Sequence, residues 1–164
     1  MTFIYEFGQH KNKSIEQVAV TDFPYLLWSD SNVRRLSDDF KKHLKEVRFK
    51  LNNFVPDVKC GACKENIPEH ISIGMNLPYG ISVSTQYLYC DEKSCKSSAL
   101  TYEKAQLYHL AFSTLESLPY SPKWIREDVS EVLLAAIGFR GRKTQAALEA
   151  LLEHVELKKP MPQF

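Results

Sequence analysis

Four cysteines constrain this 164-residue chain more than any other feature, because all of them fall within one window of 36 residues. They form two close pairs, Cys60 with Cys63 and Cys90 with Cys95. A tight turn between paired cysteines presents two sulfurs on one side of the backbone, as a tetrahedral Zn²⁺ site requires. Clustering disfavours free core cysteines, and the absence of a secretion signal before Gly8 disfavours disulfides. We therefore predict a Zn²⁺ ion held by these four thiolates.

The segment around the cysteines, residues 55–100, resembles a zinc ribbon, in which each cysteine pair lies at the top of a β-hairpin. It lacks helical periodicity and holds β-type runs at Ile71–Ile73 and Ile81–Ser84. The two pairs are separated by 26 residues, more than the usual spacing of ~15–20, so we expect an extended loop. Gly61 suits the first turn. His70 is the one nearby imidazole that could replace a cysteine.

A closed shell of four protein ligands leaves the metal no open position for water. We therefore expect the zinc to be structural and not catalytic.

The N-terminal segment, residues 1–54, predicts a hairpin followed by helices. Thr2–Phe7 is aromatic and β-branched, which favours a strand, and Lys11–Lys13 favours a tight turn. Ser14 with Gln17 three residues later is a capping box, and Ser37 is placed to cap a helix that ends near Asn53.

The C-terminal segment, residues 101–164, predicts three helices. The first runs from Thr101 to Leu118, the second from Ser121 to Gly138, and the third begins at Thr144. The sequence as a whole therefore predicts an α+β protein with an N-terminal hairpin-plus-helix module, a central Cys₄ zinc ribbon and a C-terminal three-helix bundle.

Net charge excludes a strongly basic nucleic-acid coat, since 21 Lys and Arg stand against 20 Asp and Glu. Any contact with a polyanion must come from a local patch. Residues 1–54 are the only net-positive segment, with nine basic and seven acidic residues. No apolar run is long enough for a membrane span, so we expect a cytoplasmic protein without a membrane partner.

Two stretches near the N-terminus, Phe7–Val18 and Asp22–Trp28, combine aromatic, glycine, basic and capping residues in a set order. The region 3–30 resembles the C-terminal domain attached to exodeoxyribonuclease X-like proteins. The positions that match are Phe7, Gly8, His10, Lys11, Lys13, Ser14, Asp22, Tyr25 and Trp28, whereas Gln9, Asn12 and Phe23 depart from the family pattern. The resemblance implies a small accessory module, found beside nucleases and in DNA-processing proteins, that contacts nucleic acid, and it does not imply cleavage.

Three groups of basic residues are candidates for phosphate contacts. They are the turn residues His10, Lys11 and Lys13, the helical stripe Lys41, Lys45 and Arg48, and the loop residues Arg140, Arg142 and Lys143. The alternative interpretation of the stripe and the loop is an ordinary solvated surface. Aromatic side chains of the first strand, Phe3, Tyr5 and Phe7, could stack on bases. We expect Phe7 and Trp28 to pack in the core.

Common signatures of phosphate-binding loops, nucleophile elbows and zinc peptidases are absent from the sequence. The predicted function is therefore a non-enzymatic zinc-binding accessory protein that binds nucleic acid, with no small-molecule substrate. The alternative is a protein-interaction adaptor or an inhibitor of a host enzyme, such as a phage would encode. A third, more distant, is a nuclease subunit that acts only with a partner.

Overall fold

The computed structural model describes residues 3–74, 87–100, 105–118 and 123–164. In chain order, its helices are α1 (Ile15–Thr21), α2 (Phe23–Asn32), α3 (Asp38–Asn53), α4 (Lys93–Ala99), α5 (Lys123–Ala136) and α6 (Gln145–His154). Its strands are β1 (His70–Gly74), β2 (Leu88–Tyr89) and β3 (Ala105–His109), and short 3-10 helices span Gly8–His10 and Phe112–Ser117. The protein therefore mixes helices with a small sheet, which confirms the α+β class.

The chain forms two compact units. Unit 1 contains Met1–Val55 and Arg140–Phe164, and unit 2 contains Pro56–Phe139. This division differs from the predicted boundaries at residues 54 and 100, because the end of the chain joins the N-terminal segment. The main-chain amide of Val55 donates to the carbonyl of Glu156 at 2.7 Å, and that of Lys158 donates to Asn53 at 2.7 Å.

Unit 1 begins with an extended segment that folds back on itself. The amide of Tyr5 donates to Lys13 at 2.9 Å, and that of Ile15 donates to Phe3 at 3.1 Å. Asn12 makes the turn in the left-handed region, with φ of 69°, as the sequence predicts. Thr2 lies outside the described residues, and the described rest of the predicted strand, residues 3–7, forms a single bridge between Ile4 and Ser14, because the 3-10 helix starts directly after Phe7.

The helices of unit 1 begin where local capping predicts. Ser14 and Gln17 form the reciprocal capping box of α1, Ser37 accepts from the amide of Phe40 at α3, and Thr144 caps α6. Helix α1 packs on α2, α3 and α6. The apolar face of α3 is buried, as its spacing of three and four residues predicts, through Phe40, Leu44, Val47 and Leu51.

Unit 2 is organised around a three-stranded antiparallel sheet in the order β2-β1-β3. His70 of β1 faces Tyr89 of β2 on one side and His109 of β3 on the other. Ile71 and Ile73 are buried, which confirms the predicted strand there. Helix α5 packs against the 3-10 helix Phe112–Ser117.

The predicted helix over Thr101–Leu118 is wrong for its described part. Ala105–His109 is strand β3, and Phe112–Ser117 is a 3-10 helix. Pairing with β1 outweighs the helical pattern of this segment, because it satisfies the backbone groups along one edge of β1. Thr101–Lys104 and Ser121–Pro122 lie outside the described residues, as does the predicted strand Ile81–Ser84.

The predicted C-terminal three-helix bundle is wrong as well. The described part of its first member is a strand followed by a 3-10 helix, α5 belongs to unit 2 and α6 belongs to unit 1. The apolar face of α5 is buried as predicted, through Ile125, Val129, Val132, Leu133 and Ala136, but its neighbours are those of unit 2. Within the described ranges, no helix has the length and apolar character needed to cross a membrane.

A hydrogen bond between a buried carboxylate and an imidazole links α1 to α3. Glu16 is 2% exposed, and one of its carboxylate oxygens lies 2.5 Å from Nε2 of His43. Burial alone would raise the pKa of Glu16. The hydrogen bond with His43, together with the nearby amide of Glu16 and hydroxyl of Ser14, outweighs burial and lowers the pKa below its ordinary value of 4.5.

We expect this pair to make stability depend on pH. Because the folded-state pKa of Glu16 is lowered, its contribution is fully present above about pH 4.5 and is lost as the pH falls through the folded value. Glu16→Gln should lower the free energy of unfolding by about 1–3 kcal/mol at pH 7 and by much less at pH 3. Urea unfolding at both pH values measures the difference.

The exposed Glu6 provides the control, since Glu6→Gln should change neither value. His43, Glu46, Lys50, Glu149 and Glu153 line the same cleft as Glu16 and are the same in the parent and in both variants. An equal loss of stability at pH 3 and pH 7 in Glu16→Gln would show that ionisation of Glu16 does not stabilise the fold.

Candidate metal centre

The first cysteine pair lies on a tight turn that follows the end of unit 1. The amide of Lys64 donates to the carbonyl of Cys60 at 3.0 Å, and the amide of Cys60 donates to Asn66 at 2.8 Å. Lys64, and not Gly61, adopts the left-handed conformation, with φ of 62°. Gly61 instead donates its amide to the carbonyl of Leu88 at 2.6 Å. This hydrogen bond joins the turn to β2.

The second pair lies at the end of a strand and the start of a helix. Cys90 directly follows β2, and Cys95 is the third residue of α4. A zinc ribbon would place this pair on a second hairpin, so the local geometry here differs from that expectation. Cys95 and Ala99 are the buried residues of α4, and they hold its inner face against the cluster.

The four predicted ligands come together. Their sulfur atoms all lie within 4.8 Å of one another, and the sulfurs of Cys63 and Cys90 are 3.9 Å apart. A tetrahedral ion with metal–sulfur bonds of ~2.3 Å would hold its ligands ~3.8 Å apart. A disulfide would need ~2.05 Å, and all four cysteines are free. This cluster can therefore hold a metal ion.

The cluster is enclosed by protein. Cys60, Cys90 and Cys95 are buried, and Cys63 is half-buried. Tyr89, Ala99 and Leu107 pack around the sulfurs. An apolar surround strengthens the attraction between thiolates and a cation and limits access of water to the site.

The pKa values of Cys60 and Cys95 are shifted in opposite directions within the cluster. Burial tends to raise the pKa of Cys60, but amides of Cys63, Cys90 and Ala62 outweigh it and lower the pKa to about 6. One of these is the Cys90 amide, 3.3 Å from the Cys60 sulfur. Burial raises the pKa of Cys95, and contacts with the other sulfurs and the charge of Cys60 raise it further. One thiolate thus opposes ionisation of its neighbour, which a divalent cation would relieve.

His70 belongs to a polar group beside the cluster. Its Nε2 lies 2.9 Å from a carboxylate oxygen of Asp91, and Nζ of Lys96 lies 2.5 Å from the same oxygen. These two partners, His70 first, lower the pKa of Asp91 to about 2. His70 therefore supports the loop between Cys90 and α4. Among the described residues, the metal-ligand group contains only the four cysteines.

The first group of predicted phosphate contacts divides into a buried and an exposed part. His10 is 8% exposed, its Nε2 lies 2.9 Å from Asp22, and its ring stands edge-on to Tyr25 at 4.6 Å. His10 therefore does not present its ring to a phosphate, which corrects the interpretation drawn from the sequence. Lys11 and Lys13 are exposed.

The three basic residues of the stripe on α3 differ in their exposure and in their ion pairs. Nη1 of Arg48 lies 3.8 Å from a carboxylate oxygen of Asp30, so this guanidinium connects α3 to α2. Lys41 is half-buried and Lys45 is exposed. Only the two lysines of the stripe are without an ion pair among the described residues.

The third basic group precedes α6. Arg140 and Arg142 are exposed and Lys143 is half-buried. The hydroxyl of Thr144 accepts from the amide of Ala147 at 3.3 Å, so one of the free amides at this helix start is already used. This weakens the expectation that the start of α6 helps to hold an anion.

All of the predicted basic residues lie in unit 1, whereas the four cysteines lie in unit 2. Unit 1 holds fourteen Lys and Arg against ten Asp and Glu, and unit 2 holds seven against ten. The near-neutral total therefore hides two units of opposite net charge. This follows from the return of α6 to the N-terminal segment, which sequence periodicity did not predict.

Trp28 is the functional candidate that sequence reasoning misplaced. We expected it in the core, but it is 50% exposed, with its ring 5.1 Å from that of Tyr25. Conversely, Tyr5 is fully buried and cannot stack on a base, and Phe3 and Phe7 are half-buried. The exposure of Trp28 could have been predicted from the spacing in α2. Trp28 lies two residues after the buried Leu26 and five after the buried Phe23, and not three or four, so it belongs to the polar face of the helix.

Comparison with known proteins found no relative of this chain. No protein-family model, curated protein or solved structure matches this chain.

Removing one sulfur should release the metal. We expect Cys63→Ser to lower the metal content well below one ion per chain and to destabilise unit 2. The loss is ~2.7 kcal/mol if the parent is studied with free metal at 100 times its Kd. Elemental analysis and thermal unfolding followed by amide resonances of each unit measure the two effects. Ala62→Ser, in the same turn, is the matched control. A full metal content with unchanged melting in Cys63→Ser would contradict a four-sulfur site.

The left-handed conformation of Lys64 supplies an independent test of the turn. A lysine there carries strain that glycine lacks, so Lys64→Gly should stabilise the metal-loaded protein by about 1 kcal/mol. The metal content should not change. Lys59→Gly is the control, because Lys59 is an exposed lysine outside the left-handed region. Urea unfolding compares the variants, and equal effects of the two substitutions would contradict the turn geometry.

Proposed function

We propose that this chain is a non-enzymatic zinc-binding protein whose unit 1 binds single-stranded nucleic acid. The observation that carries the proposal is a division among the residues of the N-terminal motif. Most of them hold the fold of unit 1 together, whereas Lys11, Lys13 and Trp28 face solvent.

Several residues of the N-terminal motif are explained by their role in the fold. Gly8 has φ of 68°, and a Cβ there would collide with the hydroxyl of Tyr25. His10 bonds to Asp22, and Ser14 caps α1. These residues fasten the turn to the start of α2, so none of them needs a ligand to account for its presence.

The remaining half has the chemistry of a nucleic-acid contact. Lys11 and Lys13 make no ion pair with any described residue, and Trp28 offers a half-exposed indole. Lys11 follows His10, whose ring touches Tyr25, and the Tyr25 ring touches Trp28. Ammonium groups can neutralise phosphates while an aromatic ring stacks on an unpaired base. The positive balance of unit 1 favours a polyanion, and the resemblance to the exodeoxyribonuclease X-associated domain points the same way.

The proposed zinc is a scaffold for unit 2. Four cysteine sulfurs are a soft ligand set that suits Zn²⁺, and a four-sulfur shell leaves no position for a substrate. The ligands come from a loop, the end of β2 and the first turn of α4. A bound ion would join these three pieces around a sheet whose β2 has only two residues, Leu88 and Tyr89.

A protein-binding role is the second candidate. Three large apolar side chains of unit 2 are more than two-fifths exposed, Ile67 at 44%, Leu100 at 52% and Trp124 at 42%. Exposed aromatic and aliphatic groups are typical anchors of protein interfaces. Capture of a protein partner that is lost in Trp124→Ala, together with no binding to nucleic acid, would favour this role.

Binding to an oligonucleotide tests the first candidate. We expect the full chain to bind a fluorescent single-stranded oligothymidine in 50 mM salt and to weaken steeply toward 200 mM, as phosphate contacts require. Alanine at both Lys11 and Lys13 should reduce the slope of log Kd against log salt by ~1.4, since each phosphate contact contributes ~0.7 for single strands. Trp28→Ala should weaken binding by ~1–3 kcal/mol without changing that slope. Fluorescence anisotropy measures both.

The charge-matched control replaces two exposed lysines of unit 2, Lys59 and Lys123, by alanine. It should bind as the parent does. An equal loss in this control would mean that net charge, and not the turn, governs binding. Absence of binding in 50 mM salt would refute the nucleic-acid role.

A further inference from the structure

Unit 1 contains a cleft of about 310 Å³ that the proposed nucleic-acid contact does not use. It lies among the extended N-terminal segment, α1, α3 and α6. Its apolar lining comes from Phe3, Val47 and Leu152. The volume is at the lower end of the ~300–1,000 Å³ typical of small-molecule sites.

Four carboxylates line the same cleft, those of Glu16, Glu46, Glu149 and Glu153. They face a single ammonium group, that of Lys50, which donates to the carbonyl of Leu152 at 2.8 Å. Unit 1 has an excess of basic residues, yet four of its ten acidic residues are gathered here. The cleft is therefore a local anionic site within a cationic unit.

The carboxylate of Glu16 supplies an independent indication of a ligand. Its side chain is 3% exposed, and one oxygen bonds to His43. The other oxygen, Oε2, is buried and has no hydrogen-bond partner among the described residues. A buried anionic oxygen normally accepts at least one hydrogen bond, so this atom points to a donor that enters the cleft.

We propose that the cleft binds a small organic cation of the alkylguanidinium or alkylammonium class. Its N–H groups would donate to Glu16 and to a carboxylate at the rim. Its alkyl chain would lie against Val47 and Leu152. The ring of Phe3, whose centroid is 4.9 Å from that of His43, adds a π face for the cation. This inference does not depend on the proposed nucleic-acid binding.

The donor set favours an organic cation over a metal ion. In the described part of the chain, only the four cysteines bring three or more metal-binding atoms close enough to share one ion. No three carboxylates of the cleft come that close to one another, which suits a planar or chain-like donor with several N–H groups. The apolar lining would be of no use to a hydrated metal ion.

The cation has two possible sources, a free amine or the side chain of an arginine or lysine in a peptide. Both sources present the same guanidinium or ammonium group, but the small volume of the cleft limits how a peptide could bind. A peptide would have to place its backbone outside the cleft. Acetyl-Gly-Arg-Gly-amide compared with n-butylguanidinium separates the two sources.

Titration of the metal-loaded full chain with n-butylguanidinium, followed by two-dimensional amide NMR, tests the proposal. We expect saturable shifts for amides around Phe3, His43 and Leu152. We expect the neutral analogue n-butylurea to bind at least ten-fold more weakly. Peptide binding within three-fold of n-butylguanidinium would support a side-chain ligand, and peptide binding at least ten-fold weaker would support a free amine.

Two variants at the cleft avoid the fold-stabilising Glu16. Glu46→Gln and Glu153→Gln should each weaken n-butylguanidinium binding at least three-fold, whereas the exposed control Glu6→Gln should not. The proposal is overturned if no saturable shift occurs in this cleft, if n-butylurea binds as tightly, or if all three variants bind alike. Tighter, site-specific binding of Mn²⁺, detected by paramagnetic broadening at the same amides, would also overturn it.

Discussion

The mutual repulsion of four closely spaced sulfurs is the constraint on which the rest of unit 2 depends. In a buried site, thiolates within 4.8 Å of one another cannot all be ionised unless a cation lies among them. The same four atoms connect the turn at Cys60, the end of β2 and the start of α4. A sheet with one two-residue strand has little cooperative stability of its own. A cation among the sulfurs would therefore both neutralise them and hold the sheet together.

Sequence spacing predicted which residues form this site but not the shape of the backbone around them. The ligand set follows from local chemistry, because Cys60 and Cys63 need only a short turn between them. The environment of Cys95 does not follow from local chemistry. Lys93–Ala99 is short and rich in serine, with weak helical preference, and it becomes a helix because Cys95 and Ala99 pack inward. The left-handed residue of the first turn is Lys64 because the turn closes one residue beyond Cys63.

The same contrast between local and distant causes runs through the fold. Helix starts at Ser14, Ser37 and Thr144 were predicted correctly, because a cap bonds to an amide three residues away. Strand β3 was missed because its partner β1 is more than thirty residues earlier in the chain. The return of α6 to the N-terminal segment was missed for the same reason. Neither pairing leaves a periodic signal within its own segment.

His10 shows why a motif must be divided by structure before it is assigned a function. A histidine beside two lysines suggests a phosphate contact, yet Asp22 and Tyr25 enclose its ring and turn it into part of the fold. Its neighbours Lys11 and Lys13 have no comparable duty. Glu16 presents the opposite case, since its bond to His43 accounts for one of its oxygens and leaves the other unexplained. In both places, the functional inference belongs to the atoms that the fold does not use.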